Sequence, residues 1–213
     1  MSISMLLILL GFGAGVIATI IVLTPIATKV GLLDHPNPRK RHKGPIPLVG
    51  GVSIFSAITV MLWLIDVPAK VELIVLTAGL VVAVGVLDDF YGLGVRIRLL
   101  VQLLASCWMM LASSLWISSI GVLSCFDSLN AWIGIPFTLM AVIGLTNAFN
   151  MSDGADGLAS GQAIVSLCTL ILAISISRNI YALNLGWLIA LLFAVIAFFL
   201  VNLSLTPLKK VFL

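Results

Sequence analysis

Seven stretches of this sequence contain no charged side chain, and they constrain the fold more than any other feature. A transmembrane helix needs about 20 mainly apolar residues, because the hydrocarbon core of a bilayer is about 30 Å thick. Within lipid, a single segment satisfies its own backbone hydrogen bonds only as a helix. We therefore predict seven membrane-spanning helices, contained in residues 1–28, 44–65, 73–87, 99–126, 128–152, 157–177 and 179–208. The third is short unless its charged flanks join the helix.

The composition excludes an ordinary soluble domain. Of the 213 residues, 62% are apolar and 9% are charged, and the mean hydropathy is +1.27. Soluble domains contain about 45–50% apolar and about 25% charged residues. No polar stretch is long enough to build a separate core, so we predict one all-α, polytopic transmembrane domain over residues 1–213. Pro25 is expected to end the first helix.

The distribution of Lys and Arg predicts the orientation of the chain, because cytoplasmic loops carry an excess of these residues. With seven spans, only Lys70 and Arg178 fall on one side. The other side receives Lys29, Arg39, Lys40, Arg41, Lys43, Arg96, Arg98, Lys209 and Lys210. We therefore expect the N-terminus outside, the C-terminus in the cytoplasm, and every polar cluster on the cytoplasmic face. This bias explains the formal net charge of +3, so no nucleic-acid partner is predicted.

The run from Asn147 to Gly161 is the first candidate for an active site. Its polar side chains recur every three residues: Asn147, Asn150, Asp153 and Asp156. Neighbours in such a row lie close together on a helix, and the glycines after the two acids are expected to loosen or end it. Mg²⁺ takes carboxylate and amide oxygens and shares them with substrate phosphates. The alternative is interhelical hydrogen bonding, although acids at membrane depth are costly without a function.

The second cluster ends the third predicted span with the adjacent acids Asp88 and Asp89. Neighbouring side chains on a helix point about 100° apart, so the two acids need not contact one metal ion. The alternative is an interfacial helix end whose charge is balanced by Arg96 and Arg98. The acidic pair alone is weak evidence for a catalytic site.

The loop from Asp34 to Gly51 combines four basic residues with four prolines. A rigid basic loop that leads into a helix start at Gly50 and Gly51 suits a diphosphate ligand. The alternative is membrane anchoring with attraction to anionic lipid. His35 and His42 match no metal-ligand spacing, and we interpret them as polar loop residues.

Three other pattern matches carry no function in this interpretation. Asn150–Ser152 and Asn202–Ser204 match the glycosylation triplet, but they lie at or inside the membrane on the wrong side. Gly13–Ala18 mimics a dinucleotide-binding fingerprint within an apolar helix. No strand precedes it, so close helix packing is predicted there instead.

The three clusters, in this order, resemble those of the polyprenyl-phosphate N-acetylhexosamine-1-phosphate transferase family, over nearly the whole chain. The loop is more similar to the WecA-like branch than to the MraY branch. The resemblance implies transfer of an N-acetylhexosamine 1-phosphate, such as N-acetylglucosamine 1-phosphate, from a UDP-sugar to undecaprenyl phosphate, with release of UMP. It also implies Mg²⁺, with Mn²⁺ as an alternative. The product would initiate a cell-envelope glycan, in lipopolysaccharide biosynthesis or cell wall biogenesis.

The resemblance also assigns roles by position. Asp88 looks like the catalytic acid that activates the lipid phosphate, or attacks directly in a two-step route, and Asp89 supports it. Asn150 and Asp153 resemble metal ligands. The positions that resemble the nucleotide-sugar site are Lys43, Gly50, Gly51, Asn147, Asp153 and Asp156. The implied setting is the bacterial inner membrane with the active site on the cytoplasmic face, and a homodimer is left open.

Two positions depart from the family pattern. Many WecA-like members have a third Asp four residues after the first of the pair, where this chain has Gly92, and this weakens the transfer of sugar specificity. The family continues past a Lys-Val-Phe-like stretch into a Gly-Asp-Ala-Gly block and a His-rich loop, whereas this sequence ends at Leu213. We therefore expect a C-terminally truncated chain. The alternatives are a catalytically inactive remnant and a small transporter, the latter disfavoured because the polar clusters crowd one face.

Overall fold

The computed structural model describes residues 3–35, 44–64, 68–120, 128–153, 156–176 and 185–213. Within these residues the chain forms seven α-helices and one pair of short strands. The helices are α1 (Ile3–Val30), α2 (Gly50–Leu64), α3 (Ala69–Tyr91), α4 (Val95–Ser113), α5 (Ala131–Ser152), α6 (Leu158–Ile176) and α7 (Leu185–Asn202). The strands are β1 (Leu33–Asp34) and β2 (Ile46–Pro47).

The prediction of an all-α, polytopic membrane protein is confirmed. Among the described residues, six helices are long and apolar enough to cross a membrane, and α2 is a shorter apolar helix of 15 residues. Large apolar side chains on these helices are exposed, such as Leu111 at 80% and Trp132 at 91%. Such surfaces suit contact with lipid tails, because a transmembrane helix already satisfies its backbone internally. The orientation of the termini stays a prediction.

Helix α1 continues through Pro25 to Val30, so the prediction that Pro25 ends this helix is wrong. Proline removes one backbone donor, and membrane helices tolerate this loss where nearby hydroxyl side chains and local adjustment compensate. The first span is therefore more than a turn longer than predicted.

The third span extends beyond its charge-free stretch. Helix α3 has 23 residues and includes the charged residues Lys70, Glu72, Asp88 and Asp89. At 1.5 Å per residue, its length is about 34 Å, which is enough to cross the hydrocarbon core. The charged flanks therefore complete this span, and the two acids lie in its last turn.

The chain divides into two compact units. Unit 1 consists of Met1–Pro68 and Ser152–Leu213, and it contains α1, α2, α6, α7 and both strands. Unit 2 consists of Ala69–Met151, and it contains α3, α4 and α5. The single transmembrane domain over residues 1–213 stays a prediction.

Helix α7 is the central helix of unit 1, because it packs against α1, α2 and α6. Phe198 and Val201 on α7 are fully buried, as are Leu9 and Val16 on α1. The two α1 residues lie seven positions apart, so they share one face of that helix. Apolar burial between these helices is the main stabilising contribution in this unit.

Gly13 allows α1 and α7 to approach each other closely. A Cβ atom at Gly13 would lie 3.5 Å from the Phe193 carbonyl oxygen and 3.6 Å from the Ala197 Cβ. Small residues at such crossings are typical of membrane helix pairs. The prediction of close helix packing at Gly13–Ala18 is therefore confirmed at its first residue.

Strands β1 and β2 hold together the two described ends of the basic loop. They pair antiparallel, with Leu33 opposite Pro47 and Asp34 opposite Ile46. The Leu48 N–H also donates to the Leu32 carbonyl, at 3.3 Å. These contacts place the start of α2 beside the end of α1.

The last four residues, Lys210–Leu213, form what we call the C-terminal segment, and it adds to the edge of β2. A parallel bridge joins Leu48 to Phe212. The Phe212 N–H donates to the Pro47 carbonyl at 3.0 Å, and the Phe212 carbonyl accepts from the Gly50 N–H at 2.8 Å. The C-terminal segment thereby satisfies an N–H group at the first turn of α2, which has no partner within its own helix.

In unit 2, α3 packs against α4, and a polar contact joins the residues after α4 to α5. Thr138 Oγ1 accepts from the Ile117 N–H at 2.9 Å and donates to the Gly134 carbonyl at 2.7 Å. A Cβ atom at Gly134 would lie 2.7 Å from the Ile117 carbonyl oxygen. The absence of a side chain at Gly134 therefore permits this contact.

We predict that Gly50→Ala lowers the free energy of unfolding of the protein by about 1–3 kcal/mol, through overpacking. The added Cβ would overlap the Phe198 ring and lie 2.8 Å from the Phe212 carbonyl oxygen. Both neighbours are buried, so neither yields easily. Thermal unfolding of the detergent-solubilised chain, followed by tryptophan fluorescence, measures the loss.

Gly51→Ala is the matched control for this prediction. A Cβ at Gly51 meets only the Leu213 carbonyl carbon, at 3.9 Å, which is an ordinary contact. Alanine also favours a helix over glycine by up to about 1 kcal/mol, so the Tm should stay unchanged or rise. An equal loss of Tm in the two variants would contradict the close packing described at Gly50.

Candidate functional site

The predicted site residues are distributed over the two units. Unit 1 holds Gly50, Gly51, Asp153 and Asp156. Unit 2 holds Asp88, Asp89, Asn147 and Asn150. Lys43 falls outside the described residues, so its predicted role in the nucleotide-sugar site stays a prediction.

Asp88 forms an ion pair with Arg98 in unit 2. Arg98 Nη1 donates to Asp88 Oδ2 at 2.9 Å, and the Asp88 side chain is 17% exposed. The chain turns between α3 and α4 at Gly92, where φ is +61° and the N–H donates to the Asp88 carbonyl at 2.7 Å. Glycine adopts this left-handed conformation without a steric penalty. The turn returns Arg98 to the end of α3, where a charge-assisted hydrogen bond fixes the carboxylate.

Asp89 is exposed, whereas Asp88 is half-buried. The difference follows from the helix, because adjacent side chains point about 100° apart. The charge balance that the sequence suggested is confirmed for Arg98. This pairing fits both a structural helix end and a fixed catalytic acid, so the catalytic roles of Asp88 and Asp89 stay predictions.

Asn147 makes an interhelical contact within unit 2. Its Nδ2 donates to Gln102 Oε1 on α4 at 2.7 Å and to the Ile143 carbonyl at 2.8 Å. Gln102 is 8% exposed, so this bond lies away from solvent. Asn147 therefore forms an interhelical hydrogen bond, which was the alternative to a functional role. Its role in nucleotide-sugar binding stays a prediction. Asn150, one turn later on α5, is exposed and lies near the helix end.

The predicted break in the helix at the acidic run is confirmed, although Gly154, one of the two glycines predicted to cause it, falls outside the described residues. Helix α5 ends at Ser152, and α6 begins at Leu158. Gly157, immediately before α6, has a φ of +71°, and a Cβ there would lie 2.8 Å from Leu203 Cδ2. Glycine is therefore favoured at this position by its backbone conformation, and a larger residue would also displace the Leu203 side chain. We call the described residues Asp153, Asp156 and Gly157 the acidic turn.

The C-terminal segment contacts both acids of the acidic turn. The Leu213 N–H donates to Asp153 Oδ2 at 3.2 Å, and Lys210 Nζ forms an ion pair with Asp156 Oδ2. Lys210 also lies over the Phe212 ring, with Nζ 5.3 Å from the ring centroid, within the range of a cation–π contact. Because this same segment pairs with β2 and Gly50, unit 1 brings the acidic turn and the glycine pair to one end of its helices.

Asn202, the last residue of α7, is the most buried of the polar residues whose side chains make these contacts. It is 2% exposed. Its Oδ1 accepts from the Gly157 N–H at 2.7 Å, and its Nδ2 donates to the Val211 carbonyl at 2.9 Å. One carboxamide therefore joins the acidic turn to the C-terminal segment.

The metal prediction can be compared with the donor chemistry of these residues. Among the described residues, no three of His, Cys, Asp and Glu cluster as a metal site. Asp156 pairs with Lys210, and Asp153 accepts from the Leu213 N–H. The other predicted ligand, Asn150, belongs to unit 2. One or two carboxylates, completed by substrate phosphates and waters, are a common set for Mg²⁺. A carboxylate and a carboxamide are therefore the kind of donor that suits an ion shared with substrate, and the roles of Asn150 and Asp153 as metal ligands stay predictions.

Three residues at these sites were not predicted from the sequence: Gln102, Asn202 and Lys210. Gln102 and Asn202 stand in apolar stretches, and a carboxamide in a membrane helix is expected to bond to a neighbouring element. That signal would have identified both residues without identifying their partners. Lys210 was interpreted only as part of the charge bias.

The apolar helices and the polar residues at their ends define a multi-pass membrane protein with acid-bearing polar sites. The profile of glycosyl transferase family 4 matches residues 71–213, a range that contains the α3 acids and the acidic turn. The chain belongs to this family. The family resemblance seen in the sequence is thereby confirmed.

Curated relatives match most of the chain. An undecaprenyl-phosphate alpha-N-acetylglucosaminyl 1-phosphate transferase of Yersinia pestis is 38% identical over 192 residues, which cover 88% of this chain and 52% of the relative. The protein of the same name from Escherichia coli K12 is 40% identical over 148 residues, or 68% of this chain and 40% of the relative. A probable undecaprenyl-phosphate N-acetylglucosaminyl 1-phosphate transferase of Bacillus subtilis is 30% identical over 186 residues, with 80% and 52% covered. The chain thus spans about half, or less, of the length of these relatives.

We predict that the Lys210–Asp156 ion pair contributes about 1 kcal/mol or less to stability. The Asp156 side chain is 52% exposed, so solvent screens the pair. A double-mutant cycle with Lys210→Met and Asp156→Asn, measured by unfolding in detergent at low and high salt, gives the coupling energy. The coupling should decrease with added salt.

Lys209→Met is the matched control for this cycle, because Lys209 is the exposed neighbour of Lys210. Combined with Asp156→Asn, it should show no coupling. A coupling of several kcal/mol between Lys210 and Asp156 that does not change with salt would contradict this prediction, because it would mean that the pair stabilises the fold strongly.

Proposed function

We propose that this chain carries catalytic and donor-binding residues of an enzyme that transfers N-acetylglucosamine 1-phosphate from UDP-N-acetylglucosamine to undecaprenyl phosphate. The observation that carries the proposal is the match to relatives of that name over as much as 88% of the chain. The acids and carboxamides assigned below lie in the region that the family profile matches. The apolar spans support a lipid acceptor, because a polyprenyl chain is soluble only in the bilayer.

In this reaction, an oxygen of the lipid phosphate forms a bond to the phosphorus that bears the sugar. The bond from that phosphorus to the bridging oxygen of the donor breaks, and UMP leaves with that oxygen. The lipid then carries the sugar through a diphosphate. Phosphoryl transfer of this kind depends mainly on positioning and on neutralising charge.

Asp88 is assigned the activation of the lipid phosphate, as the acceptor of its proton, with Asp89 in support. The support for this assignment is the ion pair with Arg98, which holds the Asp88 carboxylate in one place. A general base needs such a fixed position within hydrogen-bond reach of its proton. In a two-step route, the same carboxylate would attack the sugar-bearing phosphorus directly.

Donor binding is assigned to the residues that meet at one end of unit 1. The first turn of α2, at Gly50 and Gly51, offers the positive end of a helix dipole to an anion, with the Gly50 N–H itself bonded to the Phe212 carbonyl. Lys210, paired with Asp156, adds positive charge there, and the acidic turn would contact the polar groups of the nucleotide sugar. Lys43, outside the described residues, keeps its predicted role in donor binding. Asn147 keeps its assignment to the nucleotide-sugar site.

Mg²⁺, or alternatively Mn²⁺, is the proposed cofactor, with Asn150 and Asp153 as its protein ligands. When bound, the ion would neutralise charge on the donor diphosphate. The support is the donor set itself, one carboxylate and one carboxamide, which suits an ion that also takes oxygens from the substrate.

The proposed location is the bacterial inner membrane, with the reaction on the cytoplasmic face. The bias of Lys and Arg toward one side supports this face, and the bacterial origin of the relatives supports this membrane. The lipid-linked product would enter lipopolysaccharide biosynthesis or cell wall biogenesis.

We predict that Asp88→Asn lowers UMP release by about 100-fold or more, because the base is lost while the side-chain shape is kept. The measurement is UMP release from UDP-N-acetylglucosamine by membranes with undecaprenyl phosphate and Mg²⁺. Glu72→Gln is the matched control, since it removes one exposed carboxylate from the other end of the same helix. Release by Asp88→Asn at the rate of Glu72→Gln would refute the assigned role.

We predict that Asn150→Ala raises the Mg²⁺ concentration needed for half-maximal UMP release by roughly tenfold, because one oxygen ligand is lost. A titration of UMP release with Mg²⁺, in the presence and absence of EDTA, measures the change. Met151→Ala is the control, because Met151 is the exposed neighbour on the same helix turn. An unchanged Mg²⁺ titration in Asn150→Ala would exclude Asn150 as a ligand.

A further inference from the structure

Asn202 is a buried polar residue at the end of the most apolar helix of unit 1. The membrane-span window of α7 has a mean hydropathy of 2.5, and Asn202 is its last residue, 2% exposed. A buried carboxamide without partners costs several kcal/mol in an apolar medium. The two hydrogen bonds of Asn202 satisfy one acceptor and one donor site of this group.

Neither partner of Asn202 lies on its own helix. The Gly157 N–H stands immediately before α6, among the backbone donors that an α-helix cannot satisfy internally. Ordinarily a side chain just before the helix caps such a group. Here the cap comes from α7, 45 residues away in sequence. Asn202 thereby fixes the C-terminal end of the acidic turn to α7.

The second bond of Asn202 extends this connection to the start of α2. The Val211 carbonyl accepts from Asn202 Nδ2. At the next residue, the Phe212 N–H donates to the Pro47 carbonyl and the Phe212 carbonyl accepts from the Gly50 N–H. The acidic turn, the C-terminal segment and the first turn of α2 are therefore joined through one side chain. All of these contacts lie within unit 1.

We propose that Asn202 is a positioning residue for the nucleotide-sugar donor. It sets the spacing between the acidic turn, which carries Asp153 and Asp156, and the glycine pair at the start of α2. This role rests on the proposed function, because it takes these groups as the donor site. Asn202 acts through its two backbone partners and is not assigned a contact with substrate or metal.

The proposal predicts a selective kinetic defect. Asn202→Leu keeps the approximate shape of the side chain but removes both hydrogen bonds. The KM for UDP-N-acetylglucosamine should rise roughly tenfold or more, since buried groups lose their partners. The KM for undecaprenyl phosphate should change by less than about twofold. A merely structural role would reduce the amount of folded protein and leave both KM values unchanged.

Ser160→Ala is the matched control. Ser160 is 3% exposed in the first turn of α6, and its Oγ has no hydrogen-bond partner within the described part of the chain. Its removal should leave both KM values unchanged. Equal donor KM values for Asn202→Leu and Ser160→Ala would overturn the proposal.

Hydrogen–deuterium exchange of the chain in lipid nanodiscs tests the same bonds without activity. Peptides covering residues 156–161 and 208–213 should be protected in the unmodified chain and should lose protection together in Asn202→Leu. Asn202→Asp keeps the acceptor for the Gly157 N–H but places an oxygen against the Val211 carbonyl, so only the second peptide should exchange faster. It provides the test if the leucine variant does not fold.

The outcomes separate the two proposals. If the unmodified chain releases no UMP but shows the predicted exchange pattern, the proposed function fails and the connection through Asn202 stands. If the unmodified chain is active and Asn202→Asp changes neither the donor KM nor the exchange of residues 208–213, the positioning role of Asn202 is overturned.

Discussion

A polar group in an apolar membrane protein must find its partner within the protein, and the structure of unit 1 depends on how Asn202 meets this requirement. Asn202 is 2% exposed, so water does not satisfy its carboxamide, and an unpaired carboxamide in an apolar surrounding is costly. The Asn202 side chain pairs with two backbone groups, at Gly157 and Val211. Two chain segments that are distant in sequence are held against the end of α7 as a result.

The same requirement explains the arrangement around the glycines. The Gly50 N–H bonds to the Phe212 carbonyl, which is possible only because Gly50 has no side chain to collide with Phe198. At Gly157, a φ of +71° disfavours any residue with a Cβ atom, and a Cβ would also displace the Leu203 side chain. Glycine therefore occupies positions where the backbone lies close to another backbone segment or to a bulky side chain. The C-terminal segment that packs at Gly50 also supplies hydrogen-bond or ion-pair partners to the acids Asp153 and Asp156.

Much of the helical architecture could be predicted from charge alone. Charge-free stretches identified the spans, because an ionisable group at membrane depth is costly. The helix break near Gly157 followed from glycines beside acids. The end of α1 at Pro25 was predicted wrongly, because proline in a membrane helix removes one hydrogen bond without ending the helix.

The pairings at the site were less predictable. Arg98 is ten residues from Asp88, and this local partner was anticipated. Gln102 and Asn147 are 45 residues apart, as are Gly157 and Asn202. A sequence shows that a buried carboxamide needs a partner, but the choice of partner depends on which helices pack together. Helices that are apolar on all sides give no periodic signal of that packing.

The central claim is transfer of a sugar together with its phosphate to a lipid, and a donor labelled at two positions tests it most directly. UDP-N-acetylglucosamine would carry ¹⁴C in the sugar and ³²P in the phosphate next to the sugar. Membranes containing the chain, supplied with undecaprenyl phosphate and Mg²⁺, should place both labels in the lipid in equal amounts while unlabelled UMP is released. Release of ³²P as UDP, or a lipid that contains neither label, would contradict the account.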